Sequence, residues 1–195
     1  MSLAKALEEP LPKPGRSLAG YASARALEAL LEALLALEFL ERGYVRNSAG
    51  KALQAWKALT GALLALEGDK ILERLNEEQR RWLREKAIPR VPTSRLKPLS
   101  RLLEEAAGIP YYGPLTDRVL DLHDYQYHGP DPDLELSKYR SREEAAHDIL
   151  YILRELARIV EERVRPRLEE RGAWTGLHRE ALDRLRERLA RRSAP

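Results

Sequence analysis

Apolar side chains return at three- and four-residue intervals along most of this chain, the spacing of one helix face and not the alternation of a strand. The first such stretch starts at Ser17: Leu27, Leu30, Leu31, Leu34 and Leu35 fall together, Glu lies opposite, and the pattern stops near Arg42 and Gly43. Leu53, Trp56, Leu59, Leu63 and Leu66 mark a second helix that ends at Gly68-Asp69. The few residues between the two predict an antiparallel hairpin. Asn76 followed by Gln79 is an N-terminal capping pattern, which predicts two short helices within residues 69–86. Pro89, Pro92 and Thr93-Ser94 then break the chain, and a helix follows over residues 93–107. Ile109-Pro110-Tyr111-Tyr112-Gly113-Pro114 separates it from another that begins near Leu115 and ends at Gly129-Pro130. After a polar loop over residues 129–136, Ser141-Arg-Glu-Glu144 reads as a capping box for the longest helix, whose stripe is Ile149, Leu153, Leu156, Val160 and Val164. Pro166 should kink or end it. A last helix over residues 174–191 presents Leu177, Ala181, Leu185 and Leu189, with Glu180–Arg184 and Glu187–Arg191 at ion-pair spacing on the other side.

These elements predict an all-α fold: an up-and-down antiparallel four-helix bundle with additional short helices and a C-terminal helical extension. No internal repeat is evident. Pro10, Pro12, Pro14 and Gly15 make residues 1–16 a flexible lead-in. The bundle occupies residues 17–171, and residues 172–195 form an Arg-rich helix that packs on the bundle or on a partner.

Composition narrows the chemistry. A chain of 195 residues can bury a substantial core. Cysteine is absent, which excludes disulfides, thiolate metal sites and cysteine nucleophiles. One Met, two Asn and three Gln beside abundant Arg, Leu, Ala and Glu match proteins from hot environments, and a GC-rich genome gives the same bias. The 34 Lys and Arg are offset by 31 Asp and Glu, so the net charge is only +3 and cationic patches must be local, as in the run Arg179 to Arg192. The most apolar stretch, residues 27–40, is broken by Glu28, Glu32 and Glu38, and the opening residues lack a secretory core, so a soluble, cytoplasmic chain without a membrane segment is expected.

The segment most suggestive of a site is Arg118-Val-Leu-Asp-Leu-His123-Asp-Tyr125-Gln-Tyr127-His128, at the foot of a helix where a polar loop begins. At about 100° per residue, Arg118 and Tyr125 nearly superpose, and His123 lies about 140° away from Arg118. Two readings stand together. One is a helix end in which His123 bonds a carbonyl and Tyr125 packs half-buried. The other is a phosphate site made of a cation beside a titratable ring, with His128 as a further substrate contact.

The spacing Arg118-x4-His123-x-Tyr125, followed by the loop and the helix opened by Ser141, resembles the signature of the HEPN superfamily, small all-helical domains that include many RNase toxins. The run Arg46-Asn-Ser-Ala-Gly-Lys51-Ala-Leu-Gln-Ala-Trp56-Lys57 is similar to the second helix of archaeal PaREP-type members. The resemblance implies metal-independent RNA cleavage in which His123 takes the proton of a ribose 2′-hydroxyl and Arg118 stabilises the added phosphate charge. It also implies a homodimer that brings two motifs together, RNA or a nucleotide as ligand, and no cofactor. Tyr125 matches the position that accepts nucleotides in toxins paired with a nucleotidyltransferase, which makes such an enzyme the implied partner. Val119 departs from the pattern, standing where members often place a polar residue. That departure fits the alternative, a non-catalytic nucleotide-binding or protein-interaction module.

Arg142 and His147 repeat the Arg-x4-His spacing as a secondary candidate site. The capping residues place Arg142 in the first turn of its helix, and His147 is alternatively placed to face the Arg118 helix across the loop. His123 and His128 are five apart, not the four that put two imidazoles on one helical face, so no metal is expected despite Asp121 and Asp124. Gly43 to Lys51 is not a phosphate loop, since six residues separate the glycines and no Ser or Thr follows Lys51. Arg46 and Lys51 remain candidates for lining an anion-binding groove, or for a solvated face. Trp56 reads as core, Asp131 and Asp133 as turn residues, and His178 as a packing or solvated residue.

Overall fold

A computed structural model describes residue 5 and residues 8–192. The residues at either end of the predicted lead-in and C-terminal helix, 1–4, 6, 7 and 193–195, lie outside them. Among the described residues there is no strand, and the fold is all-helical: α1 (Leu18–Glu41), α2 (Val45–Leu66), α3 (Gly68–Leu72), α4 (Glu77–Trp82), α5 (Ile88–Arg90), α6 (Leu96–Ala107), α7 (Tyr112–His128), α8 (Arg142–Ile159), α9 (Arg165–Glu170) and α10 (Gly176–Arg191). No helix among them is long and apolar enough to cross a membrane.

Helix α1 begins where Ser17 accepts a hydrogen bond from the backbone of Gly20. The seam it shares with α2 differs from the leucine stripe: Leu27, Leu34 and Leu35 are only half-buried, whereas Ala22, Ala26, Ala29, Ala33 and Ala36 are wholly enclosed with Leu30 and Leu37. Small side chains let the two backbones approach, and the leucines flank that seam. Pairs across it recede from the turn in step: Ser48 donates to the Ala36 carbonyl at 2.7 Å, Lys51 meets Glu32, and Gly61 lies against the Tyr21 hydroxyl. The predicted antiparallel hairpin is therefore present.

Helix α2 is the centre of the molecule. From Ala58 to Gly68 every residue is buried, because α1, α6, α7 and α8 all pack against it. Its pairing with α7 is also antiparallel, with Arg46 against Gln126, Trp56 against Thr116 and Thr60 against Tyr112. This wall contains a polar chain. The Trp56 indole N–H donates to Thr116 Oγ1 at 2.9 Å, that hydroxyl donates to the Tyr112 carbonyl, and Trp56 stacks on the Tyr112 ring at 4.8 Å. A buried donor without such an acceptor would cost about 1–3 kcal/mol.

Two prolines shape the longer helices in the same way. A π turn over Leu83–Ala87 precedes Pro89, and another over Val160–Val164 precedes Pro166. A proline ring collides with the carbonyl four residues back and offers no N–H, and widening one turn relieves both. The chain continues helically past Pro166 into α9 instead of stopping there. Pro114 is likewise accommodated in the first turn of α7, which starts at Tyr112, earlier than its sequence suggests.

Helix α10 is amphipathic as expected and lies on α1, with Ala181, Leu182, Leu185 and Leu189 enclosed. It runs parallel to α1, since His178 meets Ser23 and Arg188 meets Glu38 and Glu41. Thr175 caps it, and the ring of His178 occupies the third position of the capping box.

Candidate functional site

The loop between α7 and α8 is folded by one carboxylate. Asp131 accepts backbone hydrogen bonds from Asp133, Leu136 and Ser137, which hold its carboxyl below the usual range, and its own N–H bonds the Tyr139 carbonyl at 2.8 Å. This arrangement carries Tyr139 inward, where it is buried at 6 % exposure. Ser141 then accepts from the Glu144 N–H at 3.2 Å and starts α8. The reciprocal half of the predicted box is displaced by one residue, because the Glu144 carboxylate takes the N–H of Arg140 instead of that of Ser141.

On the first turns of α8, Asp148 collects three groups. Its Oδ1 accepts from Arg118 Nη1 of α7 at 2.9 Å, its Oδ2 accepts from the Tyr139 hydroxyl at 2.9 Å, and His147 Nδ1 stands 3.5 Å from Oδ1. Burial, with the Asp148 charge beside it, pushes the Tyr139 hydroxyl up, so it stays a donor. The guanidinium of Arg118 also lies over the Tyr151 ring, 4.8 Å from its centroid. Arg118 keeps 42 % of its side chain exposed and His147 keeps 78 %, whereas Asp148 is at 19 %. Tyr139, His147 and Asp148 line a shallow open depression together with Lys138, Glu143 and Glu144, and Arg118 reaches Asp148 from outside that lining. An exposed imidazole and a fixed guanidinium beside one carboxylate can bind an anion and move a proton.

The site thus takes one residue from each of the two Arg-x4-His pairs. Arg118, His123 and Tyr125 are not joined to one another by any hydrogen bond or ring contact. His123 packs edge-on against Tyr127 at 5.1 Å, and its Nδ1 is buried without a partner. Tyr125 is 1 % exposed, with its ring edge-on to Tyr139 at 5.6 Å, and burial raises its hydroxyl pKa. The expected substrate contact or modification acceptor at Tyr125 is therefore corrected to a core position. It lies under the loop because it belongs to the apolar side of α7 with Leu115, Val119 and Leu122. His128 is exposed at the end of α7.

Arg142 donates to the Gly43 carbonyl and approaches Glu143 at 3.6 Å, away from His147. Arg46 caps α7 by donating to the carbonyls of Gln126 and Tyr127, and Lys51 pairs with Glu32 at 2.8 Å. Arg46 and Lys51, candidates for an anion-binding groove or for a solvated face, are thus engaged with helix-end carbonyls and with an acidic neighbour. Asp148 and Tyr139 escaped the sequence reading. The signal that could have found Asp148 is the repeated His-Asp dipeptide, His123-Asp124 and His147-Asp148, one copy on each helix bordering the loop.

An all-helical protein with an Arg–Asp–His cluster at the junction of two helices is what fold and site define together. The chain belongs to the archaeal PaREP1/PaREP8 family, whose model matches residues 24–150 and so takes in α2, α7 and the start of α8 with Arg118, His147 and Asp148. No curated protein and no solved structure matches it.

Proposed function

We propose that this chain is a HEPN-like protein that binds RNA at the Arg118–Asp148–His147 cluster and cleaves it by metal-independent phosphodiester transfer. The observation that carries this reading is Asp148 holding a guanidinium and contacting an exposed imidazole on one oxygen. The antiparallel registers of α1 with α2 and of α2 with α7 support a four-helix bundle of the kind the resemblance implies, for which α1, α2, α7 and α8 would be the members and α10 the extension.

In this scheme His147 accepts the ribose 2′-hydroxyl proton, and the 2′-oxygen attacks the adjacent phosphorus as the 5′-oxygen leaves, which forms a cyclic phosphate. Asp148 orients the imidazole at Nδ1 and leaves Nε2 for the substrate, a contact that shortens on binding. Only one N–H of Arg118 is spent on Asp148, so the others grip the phosphate as its charge grows. A second protomer of a homodimer supplies the acid for the leaving oxygen. DNA, lacking the 2′-hydroxyl, resists.

The test is incubation of mixed RNA with wild type, His147→Ala and His123→Ala in the presence of a chelator. Cyclic phosphate ends from wild type should fall by about 10²- to 10⁴-fold in His147→Ala, with His123→Ala close to wild type. Equal products from wild type and His147→Ala would remove the assignment. A second reading, a binding module without nuclease activity, draws on the ion pair that neutralises Arg118 and on Val119, fully buried where a polar residue is common in the resembling family. It expects RNA binding with no fragments at all.

A further inference from the structure

The Arg118 guanidinium is fixed in two directions at once. Asp148 accepts from its Nη1, and its Cζ lies over the Tyr151 ring, 4.8 Å from the centroid. A guanidinium so held is a flat, oriented plate, and the side chain remains 42 % exposed. Tyr151 lies one helical turn beyond His147, so on α8 the two side chains share a face. Tyr151 is itself 37 % exposed, a large aromatic ring that the core does not require.

Taking the RNA-binding reading as its basis, we infer that Tyr151 and Arg118 form a stacking platform for an unpaired base next to the cleaved phosphate. The base lies on the guanidinium face turned away from Tyr151, giving the order tyrosine, guanidinium, base. Bases stack on arginine planes as they do on aromatic rings, and each has a π face to offer, so the platform reads the presence of a free base and not its sequence. A base in a duplex is already stacked on both faces and paired along its edge and cannot enter. Tyr151 is thus a positioning residue for Arg118. Lysine in place of Arg118 would keep the charge but lose the plate.

The experiment compares a fluorescent 2′-O-methyl oligoadenylate, which cannot be cleaved, with a strand of equal length that is abasic throughout and keeps its phosphates. Wild type should bind the base-bearing strand about tenfold more tightly. Tyr151→Ala should abolish that preference while affinity for the abasic strand is largely kept, and Arg118→Lys, which loses both the plate and the bidentate grip on phosphate, should abolish it with weaker binding of both strands. Tyr151→Phe retains the ring and should retain the preference. Circular dichroism of each variant shows that the fold is intact. Equal affinity of wild type for the two strands, or a preference that survives in Tyr151→Ala, overturns the platform and leaves the RNA-binding reading standing. No binding of either strand overturns both. Base-selective binding by a wild type that leaves ordinary RNA uncut supports the platform and sinks only the cleavage.

Discussion

His178 shows how one buried side chain ties local structure to solution behaviour. Its Nε2 lies 2.8 Å from the Ser23 carbonyl and must donate, and its Nδ1 takes the Thr175 N–H at 3.2 Å and must accept. These partners require the neutral ring. Burial lowers its pKa below the ordinary value of 6.5, against the smaller opposing pull of the Ser23 carbonyl. The unfolded chain takes up a proton near 6.5 and the folded chain does so only at lower pH, so between those points the unfolded state binds more protons and acid destabilises the fold. The urea midpoint of wild type should therefore drop between about pH 7 and pH 5.5. His178→Gln keeps a capping side chain but cannot titrate, and it should flatten that drop. A midpoint that is level in wild type over this interval would refute the account. At this scale the sequence was informative about type and poor about direction. Trp56 read as core and is fully buried, and the Asp131 turn formed as its neighbours suggest. Yet neither the burial of Tyr125 nor the exposure of His147 can be decided from spacing, since both lie on amphipathic helices near a loop.

Among the elements, α8 has the most consequence, because its first two turns carry His147 and Asp148. Its N-terminus depends on the Ser141 hydroxyl and on Glu143 and Glu144, acids in the first turn that suit the helix dipole. Ser141→Ala should cost about 1 kcal/mol of stability. Amide hydrogen exchange should speed up over the first turn of α8 more than elsewhere, and any RNA binding at the cluster should weaken with it. Uniform exchange across the molecule would mean that the cap does not set the site. Helix limits were legible where a side chain makes the boundary, as at Ser17, Asn76 and Ser141. The limit was missed at Pro114, and at Pro166 the helix is distorted by a π turn but does not stop, since a proline forbids only one hydrogen bond and the turn around it can relax. The alanine seam of α1 was hidden by the leucines beside it. Periodicity marks a wide apolar face but not which edge of it a second helix occupies.

For the whole molecule, α10 is not an appendage in the packing. It covers α1 with Ala181, Leu182, Leu185 and Leu189, and Arg188 reaches Glu38 and Glu41 at 3.2 and 2.6 Å. The same Arg-rich run that suggests phosphate contacts is partly spent on acids of the chain itself, with Arg184 on Glu180 and Arg186 close to Glu161. Leu185→Ala should cost about 2–5 kcal/mol, as for other leucines removed from close-packed cores, with a lower urea midpoint and an unchanged slope. A chain ended after Arg171 should lose its single cooperative transition and bind a hydrophobic dye, because a long apolar strip of α1 is then bare. Full cooperativity in that truncation would show α10 to be dispensable.

By itself the sequence determined that this protein is helical, roughly where each helix runs and which residue types could do chemistry, because those properties depend on neighbours within a turn or two of the chain. Tertiary structure alone decided which of those residues meet. Arg118 and His147 are 29 positions apart in the chain; His147 adjoins Asp148 in the sequence, and only the packing of α7 on α8, with the loop folded around Asp131, brings Arg118 to the same carboxylate. A helix fixes the angle of a side chain about its own axis, and the neighbour that side chain finds depends on how that axis is laid against another.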